Sequence, residues 1–209
     1  MQTTTPSRLI PRLAAALAAL VLLAGCGLSR TNSGGWISGD GQVDQIAVAQ
    51  RGPAIDLSGT TLEGKQISLA GTRGRPTVVN VWGAWCGDCI AEAGDLQKAH
   101  AQLGNQASFV GIDIRDASVD QAKAFQRAHR ITYPSIYSPG GEAVLAFAHS
   151  VSPQTIPATL VLDAQGRVAA VIRGTLPSTL TLVEVVQAVA ANGPSASPVS
   201  GGANAGAAS

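Results

Sequence analysis

Two cysteines three residues apart, in Trp85-Cys86-Gly87-Asp88-Cys89, stand at the end of the apolar run Thr77-Val78-Val79-Asn80-Val81-Trp82. Thiols at this spacing can form and break a disulfide with each other. A helix that begins at about Cys86 puts both on one face, close enough for their sulfurs to bond. At the start of such a helix, unpaired backbone N–H groups and the helix dipole favour an anion, so the Cys86 thiol should ionise more readily than a free cysteine. Cys86 is the candidate nucleophile and Cys89 the resolving thiol. Two other uses of the pair are a purely structural disulfide and half of a zinc site. Zinc fits poorly, because no second CxxC or CxxH follows. Haem attachment fails, because Ile90 stands where histidine is required.

Around the pair, Glu92 lies one turn beyond Cys89 on the same helical face, where a partly buried carboxyl could hold or accept thiol protons. The alternative is an ordinary exposed helix glutamate. Trp85 reads as an exposed aromatic wall beside the thiol, and Trp82 as an interior residue. His100, His129 and His149 are isolated from the motif and from one another, so no metal is expected.

Elements must deliver these residues. Val78 to Trp82 is nearly continuous in apolar character, as a strand buried on both faces in a parallel arrangement would be. After the cysteines, Ile90, Ala93, Leu96, Ala99 and Leu103 recur at helical spacing, and Gly104 can end the helix. Ser108 to Ile114 predicts a strand, and Val119 to His129 a helix with Ala122, Phe125 and Ala128 inward. Gly141 to Phe147 predicts a short helix. Ala158 to Leu162 and Arg167 to Ile172 are strands joined by Asp163-Ala164-Gln165-Gly166, a hairpin signal. Pro177 to Ala191, with Leu180, Val183, Val186 and Val189, predicts a closing amphipathic helix. Ahead of all this, Ala54 to Leu69 suggests a β-hairpin around Gly59 and Gly64. Parallel strands first and an antiparallel pair last give an α/β fold with a mixed sheet.

The chain has 209 residues. Arg8 and Arg12 precede the uncharged run Leu13 to Ala24, which is short for a membrane span and reads as an export signal over residues 1–25. The run closes on Leu23-Ala24-Gly25-Cys26, which resembles the bacterial lipobox and makes Cys26 a candidate for lipid attachment. Removing Cys26 from the three cysteines leaves one pair in an exported domain, a compartment that permits disulfides. Residues 26–50, rich in Gly, Ser, Asn and Gln, read as a flexible linker. Residues 193–209 read as a disordered tail. One domain, 51–192, remains. Arg8 and Arg12 leave with the signal, so 12 basic residues face 13 acidic ones, which excludes an obvious nucleic-acid footprint.

Three local patterns resemble a thioredoxin fold, and more narrowly the membrane-tethered TlpA-like thiol-disulfide oxidoreductases, a group that includes the reductants of cytochrome c maturation. They are Val79-Asn80-Val81-Trp82-Gly83-Ala84-Trp85-Cys86-x-x-Cys89, Glu92 three residues on, and Thr155-Ile156-Pro157-Ala158-Thr159-Leu160-Val161-Leu162-Asp163 leading to Gly166. The resemblance implies a three-layer thioredoxin-like fold, with a mixed central sheet, helices on both faces and an N-terminal β-hairpin. It implies that Pro157 is cis and faces the dithiol, so that the Ile156 backbone can pair with an extended client. Asn80 stands where thioredoxins proper carry a buried acid, which leaves Glu92 as the proton partner. Gly87-Asp88 and Gly94 depart from the prolines common in relatives, and bear on redox tuning. The implied protein is extracytoplasmic and lipid-anchored, needs no bound cofactor, and exchanges disulfides with protein clients and with a membrane redox partner; a monomer is the default expectation. Reduction of clients is the first expectation and oxidation of exported proteins the alternative. A peroxidase would need a proline and threonine ahead of its cysteine, which Gly83-Ala84-Trp85 does not supply. A thioredoxin-fold copper chaperone would carry CxxxC.

Overall fold

In the computed structural model, which describes residues 36–37 and 41–192, the strand that delivers the cysteines is central. This strand, β5 (Thr77–Trp82), is buried at all six positions. It runs parallel to β6 (Ser108–Asp113) on one side and antiparallel to β8 (Ala158–Leu162) on the other. With a partner along both edges and packing on both faces, its near-continuous apolar sequence has no solvent-facing position to alternate with.

Among the described residues the sheet has seven strands in the order β1-β2-β9-β8-β5-β6-β7, where β1 is Trp36–Ile37, β2 Val43–Gln45, β7 Ser135–Tyr137 and β9 Val168–Arg173. β5, β6 and β7 are parallel and the rest antiparallel, so the expected mixed sheet is present. A separate antiparallel hairpin, β3 (Ser58–Thr60) with β4 (Gln66–Ser68), lies where Gly59 and Gly64 suggested one. It abuts β7: Leu62 donates its N–H to Ser135 O at 2.9 Å, and a Cβ on Gly59 would stand 2.6 Å from Ile136.

Alternation along the strands sorts the core. Val78 of β5 faces α1 (Gly87–Leu103) and α3 (Thr179–Ala191), packing with Leu96, Ala99, Leu182, Val183 and Val186. Trp82, on the same face, meets α2 (Val119–His129), where its ring stacks on Phe125 at 4.5 Å between centroids. Val79 and Val81 point the other way, into a cluster with Leu69, Ile112, Val144 and Phe147. That second face is covered by the hairpin and by two 3-10 segments, Leu69–Thr72 and Glu142–Phe147. Each of the large aliphatic or aromatic side chains fully buried here contributes about 1.5–3 kcal/mol.

Caps fix the helix ends. Ser118 and Ser178 each accept the N–H of the residue three positions on, and Gly104 ends α1 at φ 50°. The β8–β9 turn is tied by Asp163, whose carboxylate meets Arg167 at 2.8 Å and the buried Arg51 guanidinium at 3.1 Å.

Four expectations need correction. Residues 43–45, read as part of a flexible linker, are β2, paired with β9 in the register Val43↔Ile172. Ile90, Ala128 and Leu180, counted on inward helical faces, are exposed, while Cys89, Gln126 and Leu182 are buried. The inward side of these first turns is taken by Cys89 and Glu92 in α1 and by Leu182 and Val183 in α3, which leaves Ile90 and Leu180 on the outer side. The export signal, Cys26, most of the linker and the tail 193–209 lie outside the described residues. Among the described residues, no helix is long and apolar enough to cross a membrane.

Candidate active site

Cys86 is the N-cap of α1, and its sulfur is bonded to that of Cys89, with Cα atoms 5.2 Å apart. The loop from β5 makes this possible. Gly83 O accepts the Cys86 N–H at 3.1 Å, so the chain turns tightly between strand and helix. A side chain on Gly83 has no room: a Cβ there would lie 2.6 Å from Trp85 Nε1 and 2.8 Å from Ile114 O. Cys86 Sγ accepts the Cys89 N–H at 3.1 Å, an unpaired N–H of the first turn directed at the sulfur that would carry the charge. Cys86 keeps 6% of its surface exposed and Cys89 1%, so an incoming sulfur meets Cys86 first.

Glu92 is not an exposed helix residue. It is 1% exposed, with Oε1 accepting from Asn80 Nδ2 at 2.9 Å and Oε2 from the Leu176 N–H at 2.7 Å. Asn80 also donates to Thr159 Oγ1 at 3.2 Å, so it is satisfied by side chains from α1 and β8. Burial pushes the Glu92 carboxyl up to about 7 against the pull of the Leu176 and Asn80 hydrogen bonds, and the Asp88 charge raises it further. A carboxyl at that value, one turn from Cys89, holds or releases a proton near neutral pH.

Trp85 is 46% exposed. Its indole N–H donates to Ile114 O at 3.1 Å, and the Arg115 guanidinium lies 5.9 Å from its ring centroid. The Ile156–Pro157 peptide is cis, and Ile156 packs against the cluster that holds Trp82, Cys86 and Cys89. Pro157 O accepts the Gly174 N–H at 3.0 Å. The structure therefore gathers Trp85, Cys86, Cys89, Glu92 and Ile156-Pro157 at one end of the sheet, although the last pair is distant in sequence. Cys26 lies outside the described residues. Gly87 and Asp88 are both exposed. The histidines stand apart: His100 packs on Phe109 and Tyr133, and His129 on Phe125. Among the described residues no group of three or more His, Cys, Asp or Glu could hold a metal.

Sequence reasoning missed the segment after β6. Asp113 and Asp116 are buried beside the dithiol loop, and Asp116 accepts the Ala84 N–H with both oxygens, at 3.0 and 3.2 Å. One signal was available: Asp113 interrupts the apolar run Ile112-Asp113-Ile114 at the end of a strand adjacent to the one delivering the cysteines.

Residues 50–171 match the AhpC/TSA family. The thiol-disulfide oxidoreductase ResA of Bacillus thuringiensis subsp. konkukian is 29% identical over 118 residues, 55% of this chain and 64% of its own length, so the chain spans just under two thirds of that relative. A solved DsbF homologue from Corynebacterium diphtheriae has a TM-score of 0.67 at 33% identity, over 74% of this chain and 99% of that one. A secreted thiol-disulfide isomerase from Corynebacterium glutamicum has a TM-score of 0.64 at 31% identity, over 75% and 98% respectively.

Proposed function

The chain belongs to the AhpC/TSA family, and from that premise we propose a thiol-disulfide oxidoreductase that works outside the cytoplasm, tethered by a lipid on Cys26, and reduces disulfides in protein clients. The observation that carries this is the Cys86–Cys89 disulfide with its outer sulfur at the start of α1 and the buried Glu92 one turn away. Similarity to the oxidoreductase ResA supports the activity, and similarity to a secreted thiol-disulfide isomerase supports the compartment.

In the reducing direction, the Cys86 thiolate attacks one sulfur of a client disulfide. The client S–S bond breaks, a mixed disulfide forms, and the client's other sulfur leaves as a thiolate that takes a proton. The Cys89 thiol gives up its proton, for which Glu92 is the nearby acceptor, and attacks Cys86 Sγ. The second client sulfur departs and is protonated. The client gains two electrons and two protons in total, and the protein is left with the Cys86–Cys89 disulfide. A membrane redox partner must then restore the dithiol, and no bound cofactor is needed. The client segment lies between Trp85 and the Ile156 backbone, in the manner of an added strand.

The deciding measurement is the equilibrium potential of the Cys86/Cys89 pair in the chain lacking residues 1–26, titrated against dithiothreitol or glutathione. A value near roughly −270 mV supports a reductant, and one near roughly −120 mV would make the protein an oxidase of exported proteins.

A further inference from the structure

The short segment after β6 grips the dithiol loop at several points. Asp116, 2% exposed, accepts the Ala84 N–H with both carboxylate oxygens, two residues before Cys86. Ile114 O accepts the Trp85 indole N–H at 3.1 Å. The Tyr137 hydroxyl steadies the segment from β7 by donating to Asp116 O at 3.3 Å. Asp113, 0% exposed, is the last residue of β6, directly ahead of this segment, and neither of its carboxyl oxygens has a hydrogen-bond partner among the described residues. An ionised carboxylate so placed, without donor or cation and beside a second carboxylate, is not tenable, so the pair must carry a proton.

We infer that Asp113 and Asp116 share one proton and work together as a latch on the dithiol loop, Asp116 keeping the charge that holds Ala84 and Asp113 keeping the proton that makes this charge tolerable. Burial, and then its interaction with Asp116, hold the Asp113 carboxyl well above the usual carboxylate range. Among the described residues no cation is paired with it. In the sheet Asp113 stands in register with Trp82 on one side and Tyr137 on the other. α2 covers this end with Ala122 and Phe125, against which His129 stacks. The α2 cations Lys123 and Arg127 line a surface hollow with Glu63. Arg115 carries its guanidinium over Trp85 and onto Pro153 O at 3.2 Å. On α1, Glu92 is bound to Asn80 and Leu176, and Asp88 is exposed in the first turn. When Asp113 loses its proton, two buried carboxylates repel, Asp116 moves off Ala84, and the loop that presents Trp85 and Cys86 loosens. Asp116 is a positioning residue, since it acts on the sulfur through Ala84. The consequence for catalysis rests on the thiol-exchange function proposed above; the latch itself does not.

The test follows the Ala84 amide by 15N NMR in the oxidised full chain as pH is raised, in wild type, Asp113→Asn and Glu92→Gln. The expected result is one step in wild type with its midpoint well above the usual carboxylate range, the same step in Glu92→Gln, and its loss in Asp113→Asn, whose neutral amide mimics the protonated acid. A flat wild-type profile overturns the inference without recourse to any variant. So does a step that persists in Asp113→Asn, or one that vanishes in Glu92→Gln. The disulfide does not turn over in this experiment, so a failure of thiol exchange would count against the proposed function and not against the latch.

Discussion

Replacing Glu92 by glutamine should stabilise the protein at alkaline pH while changing it little in acid. The Glu92 carboxyl is raised from 4.5 to about 7 in the folded chain, chiefly by burial. The folded state therefore holds this proton more tightly than the unfolded state, and stability falls as pH rises from the unfolded value through the folded one. A rise of that size corresponds to about 3 kcal/mol in full, of which about 2.5 kcal/mol is lost between about pH 5 and about pH 8.5. Glutamine carries no charge to desolvate, so its variant escapes this loss. It also fits the hydrogen bonds: its carbonyl can take the Leu176 N–H, and its amide can donate to Asn80 Oδ1 if the Asn80 amide turns over, with Thr159 then donating back. The assay is urea unfolding of the oxidised chain, wild type against Glu92→Gln, at both pH values. Taking the difference between the two proteins removes every other titrating group, Asp113 included. The variant should gain about 2.5 kcal/mol on wild type between acid and alkaline pH. If the two unfolding energies change in parallel, Glu92 is not the buried proton-binding group described above, and its role in taking the Cys89 proton goes with it.

Trapping should separate the two thiols: Cys89→Ala should accumulate mixed disulfides with clients and Cys86→Ala should not, as read on non-reducing gels, because Cys86 is the more exposed sulfur. Gly83→Ala should cost about 1–3 kcal/mol in urea unfolding, since the new Cβ meets both the Trp85 indole and the Ile114 carbonyl; an unchanged midpoint would refute the close packing of this loop. Trp85→Ala should raise the KM for a protein disulfide several-fold and leave the rate with a small disulfide such as oxidised dithiothreitol nearly unchanged, whereas an equal loss with both substrates would place Trp85 in the chemistry rather than in client docking.

The parts of the fold that could be read from sequence are those whose signals are local. β5, α1, α2, the β8–β9 turn and α3 announce themselves through apolar runs, helical spacing and turn residues within a few positions. β2 and β7 do not. Each has three residues, and β2 buries only Val43 and exists because β9 offers it an edge. The helical faces differ from the spacing at Ile90, Leu180 and Ala128, where Cys89, Leu182 and Gln126 face inward instead, because apolar periodicity alone does not fix which of two neighbouring positions meets the core. The site divides in the same way. The cysteines and Glu92 are a one-helix pattern, and the resemblance supplied Pro157. The Leu176 N–H that binds Glu92 comes from a residue 84 positions away, and the Asp116 carboxylate that holds Ala84 from one 32 positions away. Contacts of that span depend on topology, and no spacing in the sequence encodes them.

Gly87 and Asp88 lie outside the core although the cysteines on either side of them are buried, and a Cβ on Gly87 would meet nothing within 4 Å. Selection can therefore exchange the two residues between the thiols with almost no penalty in folding. The electrostatic reach of the Asp88 charge to Glu92 gives such an exchange something to act on. A lineage carrying this scaffold can drift in proton affinity and redox poise through surface substitutions alone, one charge at a time, while the strand, the helix and the proline loop around the thiols stay as they are.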